Sequence, residues 1–324
     1  MRNQRRLVVR CVIVAAALAA LAITTAVPSG AVVGLPGTPV FEDNYLTLDA
    51  RVGGSYEPLP LECVGSMSAS ILWYGVGPAK DYIWRSLTVA GNNATGDSST
   101  LTVRGTYQPF TGDFDGDGCD DVFWYAPGSA PDFVWYGEAD GSFDSRRVTV
   151  SGSFVPVVGN FDDGPTDDVL WYAAGPVSER IWLGSTGRSF TSNAAPQVDG
   201  SYDPSPLGDG ILWYAPGAAE DLFTVVRAGE STPEVSEPVD LDVVADAIAV
   251  GPATLLYQPG PGSGPDQLIH EAELTDSGVA LSAWQHNING TYLIRGSRSG
   301  GFAVLHAPGP ATDRIMVAAP PIPT

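Results

Sequence analysis

One pattern returns six times along this chain: an apolar pair, an aromatic, a Gly/Pro turn, an acid and a second apolar stretch. Its cores are Ile71-Leu72-Trp73-Tyr74, Val122-Phe123-Trp124-Tyr125, Val169-Leu170-Trp171-Tyr172, Ile211-Leu212-Trp213-Tyr214, Leu255-Leu256-Tyr257 and Val304-Leu305-His306. The last residues of these cores repeat with a degenerate period of about 46 residues, the mark of a repeat architecture. A turn such as Ala126-Pro127-Gly128 or Ala307-Pro308-Gly309 follows, then an acid at Asp81, Asp132, Glu179, Asp221, Asp266 or Asp313, then an apolar run such as Phe133-Val134-Trp135. Each unit therefore contains a hairpin.

The apolar residues are consecutive rather than alternating, which describes strands buried on both faces. With 38 glycines and 27 prolines the elements must be short, which excludes a solenoid of helical repeats. At 44% hydrophobic and 16% charged residues the chain is too apolar to be disordered. Short antiparallel strands, four to a unit and stacked face to face, predict an all-β propeller. The motif Gly-Ser/Thr-aromatic, as in Gly54-Ser55-Tyr56 and Gly105-Thr106-Tyr107, precedes most units. The last unit ends soon after its second hairpin strand, whereas Leu46 to Arg51 has no unit of its own. The expected fold is six four-stranded blades, the last closed by the N-terminal strand, which removes an open sheet edge.

Three regions are expected: a signal peptide over 1–31, an N-terminal linker over 32–43 and the propeller over 44–324. Arg2, Arg5, Arg6 and Arg10 precede an apolar, alanine-rich run from Cys11 to Val27, closed by Pro28-Ser29-Gly30-Ala31, as in a secretory leader. An uncleaved membrane anchor is the alternative, since the run falls at the lower limit for a span. Arg5-Arg6 is compatible with twin-arginine export. Cleavage after Ala31 would take the net charge from −21 to −25, and Lys80 is the sole lysine. Such a surface disfavours nucleic acid and anionic membrane surfaces, which are bound through clustered Lys and Arg. The expected protein is extracellular and a monomer.

The second unit opens with Gly112-Asp113-Phe114-Asp115-Gly116-Asp117-Gly118-Cys119-Asp120-Asp121. Asp113, Asp115, Asp117 and Asp121, with the carbonyl of Cys119, would surround a hard cation with oxygen, and Ca2+ is the natural occupant. An EF-hand is excluded, because its twelfth position needs Glu and this chain has Trp124 there. A solvated aspartate turn without an ion is the plainer alternative. The third unit repeats the loop more weakly with Asn160, Asp162 and Asp168, and Gly164 replaces one acid. A second Ca2+ or a bare turn fits that loop equally well.

The run from Asp113 to Tyr125, followed by Gly141-Ser142-Phe143, resembles the FG-GAP or VCBS repeat of integrin α-subunit propellers and of many secreted bacterial proteins. The specific motif covers the second and third units, and the hairpin skeleton extends over most of residues 52 to 320. The resemblance implies a calcium-stiffened propeller that binds proteins or glycans. Integrin propellers have seven blades where this repeat gives six, and most units here lack the metal loop.

Without the leader only Cys63 and Cys119 remain, in equivalent loops of neighbouring units, and export favours a disulfide between them. Two separate buried thiols are the alternative. No Gly-x-Ser-x-Gly elbow, His-Glu-x-x-His or phosphate loop is present. His306 takes the place of the repeated tyrosine and is expected in the core. The recurring acids are the candidates for acid and base work, but Asp also favours turns, where it bonds to amides. Partner-binding residues are sought on the turns beside them, at Lys80, Asp81, Asp132, Glu179, Arg180 and Arg314. The expected function is recognition of an extracellular glycan or protein without catalysis. The alternative is an extracellular polysaccharide-active enzyme, a glycoside hydrolase or lyase working through channel carboxylates.

Overall fold

The computed structural model describes residues 30–31, 45–63, 69–216, 220–239, 241, 243–260, 264–275 and 278–318. The expected leader, apart from Gly30–Ala31, and the 32–43 linker lie outside them. The described chain is all-β and divides into two compact units, one over Phe154–Gly290, the other comprising the residues before Phe154 together with those from Thr291 onward. Both are built from four-stranded antiparallel propeller blades, and a short parallel contact between Tyr45–Ala50 and Asn93–Leu101 joins the first and last blades into one larger sheet.

The Phe154–Gly290 unit holds three such blades. Their strands are Val155–Gly159, Asp168–Tyr172, Arg180–Leu183 and Thr191–Ala194; then Asp203–Leu207, Gly210–Tyr214, Asp221–Val225 and Val235–Val239; then Asp246–Val250, Ala253–Tyr257, Asp266–Thr275 and Gly278–His286. The other unit holds the first and second blades of the chain, Glu57–Leu61, Ser70–Tyr74, Asp81–Ala90 and Asn93–Leu101, then Gln108–Gly112, Asp121–Tyr125, Asp132–Gly137 and Phe143–Val148. Its third blade is made of Leu293–Gly296, Phe302–His306 and Asp313–Ala318, completed by Tyr45–Ala50, which pairs antiparallel with Asp313–Ala318. The N-terminal strand thus closes the last blade, as the unpaired edge required.

The second strand of each blade carries the apolar core, and all five of its residues are buried in every blade but the first, where Ser70 is half-buried. Alternate side chains leave a strand on opposite faces, so each face meets a different neighbour. Val122 and Trp124 pack against Leu72 and Tyr74 of the preceding blade. Ile211 and Trp213 likewise meet Leu170 and Tyr172. The tryptophan lies edge-on to that tyrosine, with centroids 5.2 Å apart for Tyr74–Trp124 and 5.1 Å for Tyr172–Trp213.

The tyrosine hydroxyl also links consecutive blades. Tyr74 Oη donates to Gly105 O at 3.1 Å and accepts from Tyr107 N at 3.0 Å, and Tyr172 repeats this with Gly200 O and Tyr202 N. These contacts explain the Gly-Ser/Thr-aromatic motif. Gly105 has φ 131°, which side-chain residues avoid, and a Cβ there would lie 2.8 Å from the Tyr107 ring. His306 substitutes for the tyrosine in the last blade: Tyr56 N donates to Nε2 at 3.1 Å, so the ring proton resides on Nδ1, facing Asp313 Oδ1 at 2.7 Å.

Candidate functional site

The loop between the first two strands of the second blade folds around its own acids. Phe114 is buried and edge-on to Phe110 and Phe123, which anchors the loop start to the blade. Gly116 at φ 72° and Gly118 at φ 89° supply the left-handed turns that a non-glycine residue would resist. Each acid then accepts a loop amide: Gly118 N to Asp113 at 3.0 Å, Asp117 N to Asp115 at 3.2 Å and Cys119 N to Asp117 at 2.8 Å. One oxygen from each of Asp113, Asp115 and Asp117 lies within 4.8 Å of the others. Asp113 and Asp115 are buried and Asp117 is exposed. Three converging hard oxygens on a loop with a solvent side fit a divalent cation such as Ca2+.

Asp121, expected as a fourth ligand, serves otherwise. Its two oxygens accept Phe114 N and Gly137 N, both at 2.8 Å, which ties the loop to the third strand of the blade. Burial pushes its carboxyl up to about 8, the two amides oppose the rise, and Asp115 and Asp113 add to it. Asp168 occupies the same place in the next blade, bonded to Phe161 N at 2.8 Å and Gly184 N at 2.9 Å, and burial raises it to about 6. Neither acid belongs to the cluster of Asp113, Asp115 and Asp117. The sequence could not separate the two uses, because an acid entering a strand suits both.

The weaker loop gathers no cluster of acids: among the described residues only Asp113, Asp115 and Asp117 form a group of three. Asn160 instead closes this loop directly, its Nδ2 donating to Gly164 O at 2.7 Å and its Oδ1 accepting Gly164 N at 3.1 Å. Asp162 accepts the same amide at 2.8 Å. A neutral side chain with both donor and acceptor thus ties the two sides of this loop together.

Residues remote in sequence surround the acidic loop. Cys63 and Cys119 are joined by a disulfide. Beside it, Glu62 N donates to Asp120 Oδ2 and Asp120 N to Glu62 O, both at 2.8 Å. Arg298, from the last blade, binds Asp120 Oδ1 through Nε at 2.5 Å, and its Nη2 lies 3.9 Å from Asp113 Oδ2. Ser299 donates its amide and hydroxyl to the Glu62 carboxylate at 2.9 and 2.8 Å. Burial raises Asp120 to about 7, although Arg298 opposes this. Glu62, Asp120, Arg298 and Ser299 carried no local signal in the sequence.

The recurring acids are structural rather than ligand-facing. Asp81, Asp132, Asp221, Asp266 and Asp313 are at most 1% exposed. In each, one oxygen accepts an amide of the turn after the core aromatic and the other an amide of the chain leaving or closing the blade, at 2.6 to 3.1 Å. Asp81 and Asp132 therefore cannot face a partner, which corrects their expected role. Glu179 is also buried at 2% and cannot do so, and it is the misfit of the series: neither of its oxygens completes a hydrogen bond. Burial raises its carboxyl, while the nearby amides of Glu179 and Val198 pull the other way. Lys80 and Arg180 are exposed, and Arg314 is half-buried with its guanidinium 5.8 Å from the Tyr292 ring centroid.

No curated protein matches this chain. Among solved structures, a crystal structure of a protein from Lactobacillus plantarum is 13% identical, with 78% of this chain and 79% of that one covered and a TM-score of 0.46. A structure of the Dos1 propeller is 9% identical over 80% of this chain and 68% of that one, with a TM-score of 0.40. Residues 106–142, which span the acidic loop and the first three strands of its blade, match the FG-GAP repeat.

Proposed function

We propose that this protein is a secreted, non-catalytic binding propeller that recognises an extracellular glycan or protein, with Ca2+ held by the loop of its second blade. The observation that carries the reading is the convergence of Asp113, Asp115 and Asp117 inside the FG-GAP repeat. Those three would hold the ion, with the carbonyl of Cys119 as a further ligand. The cation would offset their mutual repulsion and stiffen the loop, and Arg298 would share Asp113 with it. The disulfide accords with an oxidising compartment.

The enzyme alternative loses its main candidates, because a glycosidase needs two carboxyls facing a bond and the repeated aspartates are spent on backbone amides. A glycan array and an extracellular-protein pull-down, each with Ca2+ and with chelator, run beside a reducing-sugar release assay, test the reading. Retention without turnover is expected; turnover, or no retention on either support, would reject it.

A further inference from the structure

Against the second blade lies a groove of about 220 Å³ whose walls are Tyr107, Phe133 and Trp135, with Val103 and Trp124 beneath. Phe133 and Trp135 leave the third strand on one face, and Trp135 is held in place by Trp124 at 5.1 Å and Phe143 at 5.6 Å. All three wall aromatics are half-buried, so each keeps accessible ring surface. The volume is below the roughly 300–1,000 Å³ of sites for drug-sized ligands and suits one sugar ring with its neighbours outside.

Polar groups surround this aromatic floor. Thr102, Arg104 and Ser145 line it, and the strand register sets Ser145 opposite Trp135 and Arg147 opposite Phe133, on the same face. Arg104 and Arg147 are exposed and form no ion pair among the described residues, whereas Arg146, opposite Val134 on the other face of the strand, pairs with Asp144 at 3.1 Å. In a chain with 37 acids and 16 bases, two uncommitted guanidiniums beside one aromatic groove are a local reversal of charge. At salt concentrations where fields fade within about 8–10 Å, these near charges outweigh the distant acids for a bound ligand.

We propose that this groove is a subsite for an acidic sugar, a uronate residue of an extracellular polysaccharide. The aromatic faces would take the apolar face of the ring, Ser145 and Thr102 its hydroxyls, and Arg104 and Arg147 the carboxylate. This deepens the glycan reading above and rests on it.

The test is titration of the Ca2+-loaded protein with trigalacturonate and with neutral trigalactose, read by tryptophan fluorescence and calorimetry. At least tenfold tighter binding of the acidic trimer is expected, and the difference should narrow with salt. Arg104→Ala/Arg147→Ala, on exposed side chains, should erase the preference without moving the Tm. Equal affinities, no binding of either trimer, or an unchanged preference in the double variant would overturn the groove. Loss of acidic binding in Asp115→Asn/Asp117→Asn alone would also overturn it, by moving recognition to the metal loop. Other glycans or proteins retained in the array would then leave the broader reading standing, and failure of the array and pull-down would remove both.

Discussion

Asp313 holds the backbone amide of Val52 at 2.7 Å, across 261 positions of sequence. The same carboxylate accepts Ala307 N at 3.0 Å and faces His306 Nδ1, so one buried acid secures the turn, the imidazole and the chain end that completes the blade. Asp313→Asn keeps the shape but sets an amide NH2 against a donor. A loss of about 2 kcal/mol or more in urea unfolding is expected, since each buried donor left unpaired costs about 1–3 kcal/mol. Asp132→Asn, where the acid accepts Ala126 N and Val150 N, should cost a similar amount.

Glu179 sits where the other blades have aspartate, and its extra methylene leaves both oxygens without a completed bond. Glu179→Asp should place the carboxylate against the amides of Ala173 and Val198, as Asp132 does with Ala126 and Val150. The expected gain is about 1 kcal/mol in urea unfolding. A loss of stability would reject the assignment of Glu179 as a misfit.

Asp120, Asp121 and Asp168 are raised to about 7, 8 and 6 from 3.8, and Glu179 is raised from 4.5, all chiefly by burial. A carboxyl raised on folding binds its proton more tightly in the native state, so its contribution to stability is complete below the unfolded value and disappears as pH climbs through the folded one. With chelator present, the urea midpoint should therefore fall between about pH 4 and pH 8 on account of these groups. Asp168→Asn should flatten that slope between about pH 4 and pH 6. A midpoint that rises steadily to pH 8, with the same slope in the variant, would contradict the assignment.

The disulfide closes a loop between positions 56 apart, for which loop entropy predicts about 4 kcal/mol. Cys63→Ser/Cys119→Ser should lose most of that in chemical unfolding. Thiol titration of the denatured, unreduced protein should find no free thiol once the leader is removed, and one, from Cys11, if it is retained.

The repeats made the blades legible because an apolar pair followed by an aromatic has few uses other than a strand buried on both faces. Even the closing strand could be inferred, since Leu46 to Arg51 had no partner of its own. Asp113, Asp115 and Asp117 were legible because alternate acids with interleaved glycines can converge only by bending the chain. Asp121 and Asp168 were read as ligands because a carboxylate that accepts two amides has the same letter as one that binds an ion. Arg298 reaches Asp120 across 178 positions, and Glu62 reaches the same Asp120 across 58, distances at which no local pattern operates. The aromatic groove was hidden for a related reason: Arg104 and Trp135 come from successive units, and only strand register brings Arg147 beside Phe133.

The shared tyrosine hydroxyls give partial chains a characteristic behaviour. Because the phenol of Tyr172 is held by the residues that open the following blade, a cut between them leaves a buried hydroxyl with neither its donor nor its acceptor. Limited proteolysis should therefore release pieces in whole-repeat increments, and inserted cargo should be best tolerated at exposed hairpin tips such as 186–187, away from these seams.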